Sequence, residues 1–105
     1  MTDQRHRMTP PPEQPVYAIS IAAELSGAAI QSIRLWEQRG LLTPHRSPGG
    51  TRRYSANDLT RIARITALVD AGVNIAGIAR ILDLEDDNTA LRAQRQPGRD
   101  PDQPR

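Results

Sequence analysis

Apolar residues recur along this chain in short bursts whose spacing changes from segment to segment. Val16-Tyr17-Ala18-Ile19 is a continuous strand-like run. Ser20 suits the N-cap of a short helix over Ile21 to Ser26, which Gly27 ends. From about Ala29 to Arg39, Ile30, Ile33 and Trp36 recur at helical spacing, and Gly40 can close that helix with a positive φ. The pattern then breaks. Pro44, Pro48, Gly49 and Gly50 exclude a helix between Leu41 and Tyr54, and Ser47-Pro48-Gly49-Gly50 predicts a hairpin tip between strands near 43–46 and 51–54. Ser55-Ala56-Asn57-Asp58 has the form of a capping box. It opens a helix to about Ala71 whose core face reads as Leu59, Ile62, Ala63, Thr66 and Val69. After Gly72, Asn74 can cap a last helix with the stripe Ile75, Ile78, Ala79 and Leu82. Asp83, Glu85, Asp86 and Asp87 would stand at its negative pole, which predicts an end near Asp83 or Leu84. Beyond that, Leu84 and Leu91 alone carry apolar character, enough for a partial helix but not for a coiled coil.

Composition narrows the picture to one domain with tails. Residues 1–15 hold Pro10, Pro11, Pro12 and Pro15 and little apolar bulk, and residues 96–105 hold no large apolar side chain. Such ends cannot offset their ordering entropy and are expected to be disordered. The expected organisation is a Pro-rich tail over 1–15, a folded unit over 16–84 and a short acidic and polar tail over 85–105. A unit of that size buries only about 60% of its surface, so a second copy or a ligand is expected to contribute stability. All 14 basic residues are arginine, and the net charge is +2. That balance hides a basic body, because residues 16–82 carry eight arginines against Glu24, Glu37, Asp58 and Asp70. A basic body suits a polyanion. The absence of cysteine excludes disulfides and thiolate metal sites, and His6 and His45 have no ligand partner at a useful spacing. No metal or other cofactor is expected. With no long apolar stretch and no apolar signal core, the chain reads as cytoplasmic, associated with the nucleoid.

The chemistry lies in two adjoining segments. Ala23, Gly27 and Ile33 have the spacing of a close helix contact, a turn and a core aliphatic, as in a helix–turn–helix. With Ile33 and Trp36 facing inward, Gln31, Ser32, Arg34 and Leu35 remain on other faces of the second helix. Arg34 can pair with guanine or a phosphate, Gln31 with adenine, and Ser32 with either base or phosphate. An ordinary αα-hairpin with a solvated Arg34 would show the same spacing. In the hairpin, Arg46, Thr51, Arg52 and Arg53 can reach backbone phosphates or the minor groove. Alternation puts Arg52 and Arg53 on opposite faces. One should meet DNA and the other pair with an acid such as Glu37; Arg52 is taken as the contact. Tyr54 and Trp36 read foremost as core, although the Tyr54 hydroxyl could reach a phosphate. Arg61 and Arg64, one turn apart, suit either flanking phosphates or a solvated face. These features predict a mostly α, winged helix–turn–helix fold with a short β-hairpin wing and a following helix pair. No nucleophile–base pair or phosphate-cradling glycine loop suggests an enzyme.

The run Ile33-Arg34-Leu35-Trp36-Glu37-Gln38-Arg39-Gly40-Leu41-Leu42, followed by Pro44, Arg46 and Gly50-Thr51-Arg52-Arg53-Tyr54-Ser55, resembles the signature of MerR-family transcription regulators. Val16-Tyr17-Ala18-Ile19-Ser20 and Gly72-Val73-Asn74-Ile75-Ala76-Gly77-Ile78 point within that family to its heat-shock repressors. The resemblance covers about Val16 to Leu84. It implies a MerR-like winged helix that binds promoter DNA as a homodimer and represses chaperone genes, with the chaperone DnaK as a co-repressor. It matches Arg34 and Arg52 to DNA-contacting positions and Tyr54 to the wing-end tyrosine of the motif. Leu35 and Trp36 depart from it, since many relatives carry tyrosine or glutamine followed by tyrosine there. The loss of a polar group at position 35 removes a phosphate contact. The long dimerising helix of typical members is not expected here. Two other readings fit the same residues. One is an excisionase-like or architectural DNA-binding protein of this fold. The other is a protein-interaction module for a chaperone or a polymerase subunit.

Overall fold

The computed structural model describes residues 9–94. It contains α1 (Ile19–Ser26), α2 (Ile30–Gln38), β1 (His45–Arg46), β2 (Arg52–Arg53), α3 (Ala56–Asp70) and α4 (Ile75–Gln94). The architecture is mostly α with a small antiparallel hairpin, as the sequence predicts. The chain divides into two compact units, with the boundary after Gly72. Of the tails expected over 1–15 and 85–105, residues 1–8 and 95–105 lie outside the described residues.

In the first unit, α1 and α2 form the helix–turn–helix. Gly27 turns the chain with φ of 80° and donates its N–H to the Ala23 carbonyl, a backbone state that only glycine adopts cheaply. The α2 end is a Schellman closure, with Leu41 N–H bonded to Trp36 O at 2.9 Å and Gly40 N–H to Glu37 O at 3.1 Å. That closure turns Leu41 and Leu42 into the core beside Ile33 and Trp36. α1 packs against both α2 and α3. The buried alanine of α1 is Ala22, whereas Ala23, expected at the helix contact, is half-buried.

Several features differ from expectation. α1 starts at Ile19 rather than Ile21, with extended Ala18 at the N-cap position, so Ser20 lies inside the first turn instead of capping it. The cause is a neighbour distant in sequence. Tyr17 and Tyr54 exchange backbone hydrogen bonds of 2.9 and 2.7 Å, which holds Val16-Tyr17 extended and releases the chain into the helix directly afterwards. Part of the 1–15 segment is also built into the fold. Gln14 N–H bonds to Pro11 O, and Pro12 O accepts from Asn57 N–H, satisfying an otherwise unpaired amide in the first turn of α3. On α3 itself the buried face is Ile62, Ile65 and Leu68, while Ala63 and Val69 are exposed. Arg61 Nε donates to Leu41 O at 2.7 Å, which pins the rotation of α3 and assigns this arginine a structural bond. The capping box forms as expected, with Ser55 N–H to Asp58 Oδ2 at 2.9 Å and Asp58 N–H to Ser55 Oγ at 3.0 Å.

The second unit carries α4. Asn74 Oδ1 accepts from Gly77 N–H at 2.8 Å, the expected N-terminal cap. Ile78 and Leu82 are its buried positions. The helix does not stop near Leu84 but continues to Gln94. Asp83, Glu85, Asp86 and Asp87 therefore stand in its middle rather than at the negative pole, and Arg92 occupies the last turn, where a cation is favoured.

Candidate nucleic-acid interface

α2 is amphipathic in a way that separates support from display. Ile33 and Trp36 are buried, while Gln31, Arg34, Leu35 and Gln38 are exposed and Ser32 is half-buried. Glu37, four residues after Ile33, falls on the inner edge, and its side chain is only 5% exposed. It is the acid that ties the hairpin to α2.

The hairpin pairs His45 with Arg53 and Arg46 with Arg52. Ser47 N–H bonds to Thr51 O at 2.8 Å and Gly50, at φ of 86°, closes the tip onto Ser47 O. From β2, Arg52 Nε donates to Glu37 Oε1 at 2.8 Å. Two residues on, the Tyr54 hydroxyl donates to Glu37 Oε2 at 2.5 Å. Both carboxylate oxygens are thus used, as burial of a carboxylate demands. Burial first, and then the bond to Glu37 and its negative charge, push the Tyr54 phenol well above its ordinary range. His45 Nε2 lies 3.3 Å from Asp58 Oδ2, so β1 is joined to the capping box of α3.

One expectation is reversed here, the choice of the arginine that pairs with the acid, and one is met, the reading of Tyr54 as core. Arg52, taken as the DNA contact, is the arginine that pairs with Glu37, although its side chain remains 31% exposed. Arg53 instead reaches back to Arg52 O with Nη1 at 3.1 Å. Tyr54 is fully buried with its hydroxyl spent on Glu37, so it supports the wing from within and does not offer that hydroxyl to a phosphate. Alternation separates Arg52 from Arg53 but does not say which face meets Glu37; Arg52 and Tyr54, two residues apart, share that face.

The remaining residues converge. Arg34, Arg46, Thr51, Arg52 and Arg53 line one open concavity of about 270 Å³, together with Ala18 and Ile19 at the start of α1. Arg46 is exposed and steadies the tip by donating to Gly50 O at 3.1 Å. Four guanidinium-bearing residues from a helix and a hairpin thus border one surface, a natural seat for an anionic backbone. Gln31, Ser32 and Leu35 are not on that lining. Ala18 and Ile19 carry no sequence signal of their own, because their place follows from the Tyr17–Tyr54 bridge.

Known proteins share this sequence pattern and fold. Residues 17–85 match the family described as MerR HTH family regulatory protein. The chain belongs to that family. It is 43% identical over 83 residues to the heat shock protein HspR of Streptomyces coelicolor, covering 78% of this chain and 55% of that protein. It is 45% identical over 67 residues to the HTH-type transcriptional repressor CarH of Myxococcus xanthus, covering 63% of this chain and 22% of that protein. The fold is similar to that of HiNmlR, a MerR family regulator lacking the sensor domain, crystallised bound to promoter DNA. The TM-score is 0.60 at 27% identity, covering 74% of this chain and 62% of that one. The chain spans about half the length of HspR and about a fifth of CarH. Among the described residues, no helix is long and apolar enough to cross a membrane.

Proposed function

We propose that this MerR-family protein is a sequence-specific DNA-binding repressor of heat-shock and chaperone genes, acting on duplex DNA in the cytoplasm without a catalytic step. The observation that carries the reading is the ring of Arg34, Arg46, Arg52 and Arg53 around one concavity beside the exposed face of α2. α2 enters the major groove, where Arg34, Gln31 and Ser32 choose bases. Thr51, Arg46 and Arg53 hold the phosphates, and Arg52, held by Glu37, adds positive charge beside them. Similarity to HspR supports heat-shock genes as the targets, and the promoter-bound relative supports the mode of binding. The protein binds as a homodimer, and DnaK serves as its co-repressor.

Selection of genomic fragments by the purified protein, followed by titration of the best fragment against salt, tests this. A single inverted repeat beside chaperone genes is expected. The logarithm of affinity should fall with that of salt by about 0.9 for each phosphate neutralised. Enrichment without symmetry would favour an architectural protein instead, and no enrichment at all would favour a protein-interaction module.

A further inference from the structure

Leu35 stands out on the display face of α2. At about 100° per residue, Gln31, Arg34, Leu35 and Gln38 fall roughly 160°, 100°, 200° and 140° around the helix from buried Ile33. Those four side chains form one outward face, and all four are exposed. Three are polar or charged. The fourth, Leu35, is a large apolar side chain left 39% exposed, while Ile33 and Trp36 of the same helix are buried. Arg34, its neighbour, borders the arginine-lined concavity, so this face lies on the cationic side of the unit. A leucine in that position can form no hydrogen bond with a base or a phosphate. The apolar group that a major groove offers is the C5-methyl of a pyrimidine.

We propose that Leu35 is a specificity-determining residue that recognises a pyrimidine C5-methyl group, next to the base read by Arg34. This rests on the DNA-binding reading above. The methyl belongs to thymine in an unmodified operator, and 5-methylcytosine presents the same group in a C·G pair. Contact with Leu35 removes the methyl and the leucine side chain from water together, so binding should change by about fourfold when the methyl is deleted.

The test uses the site selected by the full chain. Each thymine is replaced singly by deoxyuridine, which lacks only the methyl group, and affinity is measured for the wild type and for Leu35→Ala. Alanine keeps the helix, which circular dichroism verifies. The expected result is one thymine in each half-site whose replacement weakens wild-type binding about fourfold and leaves Leu35→Ala unaffected. A wild type indifferent to every replacement would overturn the proposal, as would equal sensitivity in the variant. At the sensitive position, a C·G pair with and without the 5-methyl group then separates the two sources. Recovery on methylation shows that the methyl is recognised on either base, and no recovery confines recognition to thymine. Failure to select any site would instead overturn the DNA-binding reading itself.

Discussion

The α2–wing junction and the outer part of α4 hold their residues by different means. At the junction, one buried carboxylate joins a helix to a hairpin through Arg52 and Tyr54, 15 and 17 residues away. Along α4, the 20-residue helix is held at its start by the Asn74 cap, and Leu84 and Leu91 are each 57% exposed. The junction fixes the wing against α2 through bonds that need no ligand. Outer α4 shows the opposite economy, a regular backbone whose apolar side chains await cover.

The largest effect should come from breaking the junction. Glu37→Ala strands the Tyr54 hydroxyl and one edge of Arg52, and should lower unfolding free energy by about 3 kcal/mol in urea titrations. Glu37→Gln keeps the shape and an acceptor and should lose less. Equal stability of wild type and Glu37→Ala would show the junction to be no more than a surface contact. Next, Arg34→Ala should cost about 1–3 kcal/mol on the selected operator and relax base choice at one position, with stability unchanged. Binding curves on matched and mismatched sites read this directly.

Tyr54→Phe removes only the hydroxyl and should destabilise by about 1–2 kcal/mol near pH 8. Its pH dependence carries a sign. Burial and Glu37 hold the folded-state phenol above its ordinary range, so its contribution is complete below the unfolded phenol value near 10 and is lost as pH rises above it. The gap between wild type and Tyr54→Phe should therefore hold up to about pH 10 and narrow as pH rises above it, and a gap that widened would contradict the assigned bond. The smallest effect is expected at the other region. Leu84→Ser with Leu91→Ser should shift stability by no more than about 0.5 kcal/mol for each exposed site in dilute protein. A larger, concentration-dependent loss in the same titration would show that a second copy covers this face.

Much of this was legible in the residues. The capping box at Ser55 and Asp58, the Asn74 cap, the turn at Gly27 and the α2 end at Gly40 each depend on neighbours within a few positions. The inward Ile33 and Trp36 follow from helical spacing. The errors in the first unit share a cause. α1 begins early because Tyr17 bonds to Tyr54, and the α3 face is rotated where Arg61 meets Leu41 O. The segment around Pro11 and Pro12 is ordered because Asn57 N–H needs an acceptor.

By itself, the sequence determined the type and order of the elements, the caps of α3 and α4, the basic display face and the family, because these rest on short-range periodicity, backbone freedom at glycine and a recognisable motif. Only the tertiary structure decided which wing arginine pairs with Glu37, that Tyr54 is spent inside the junction, and that Arg34, Arg46, Arg52 and Arg53 border one concavity. Those outcomes depend on which single acceptor lies within about 3 Å of which donor, a distance set by the packing of distant segments.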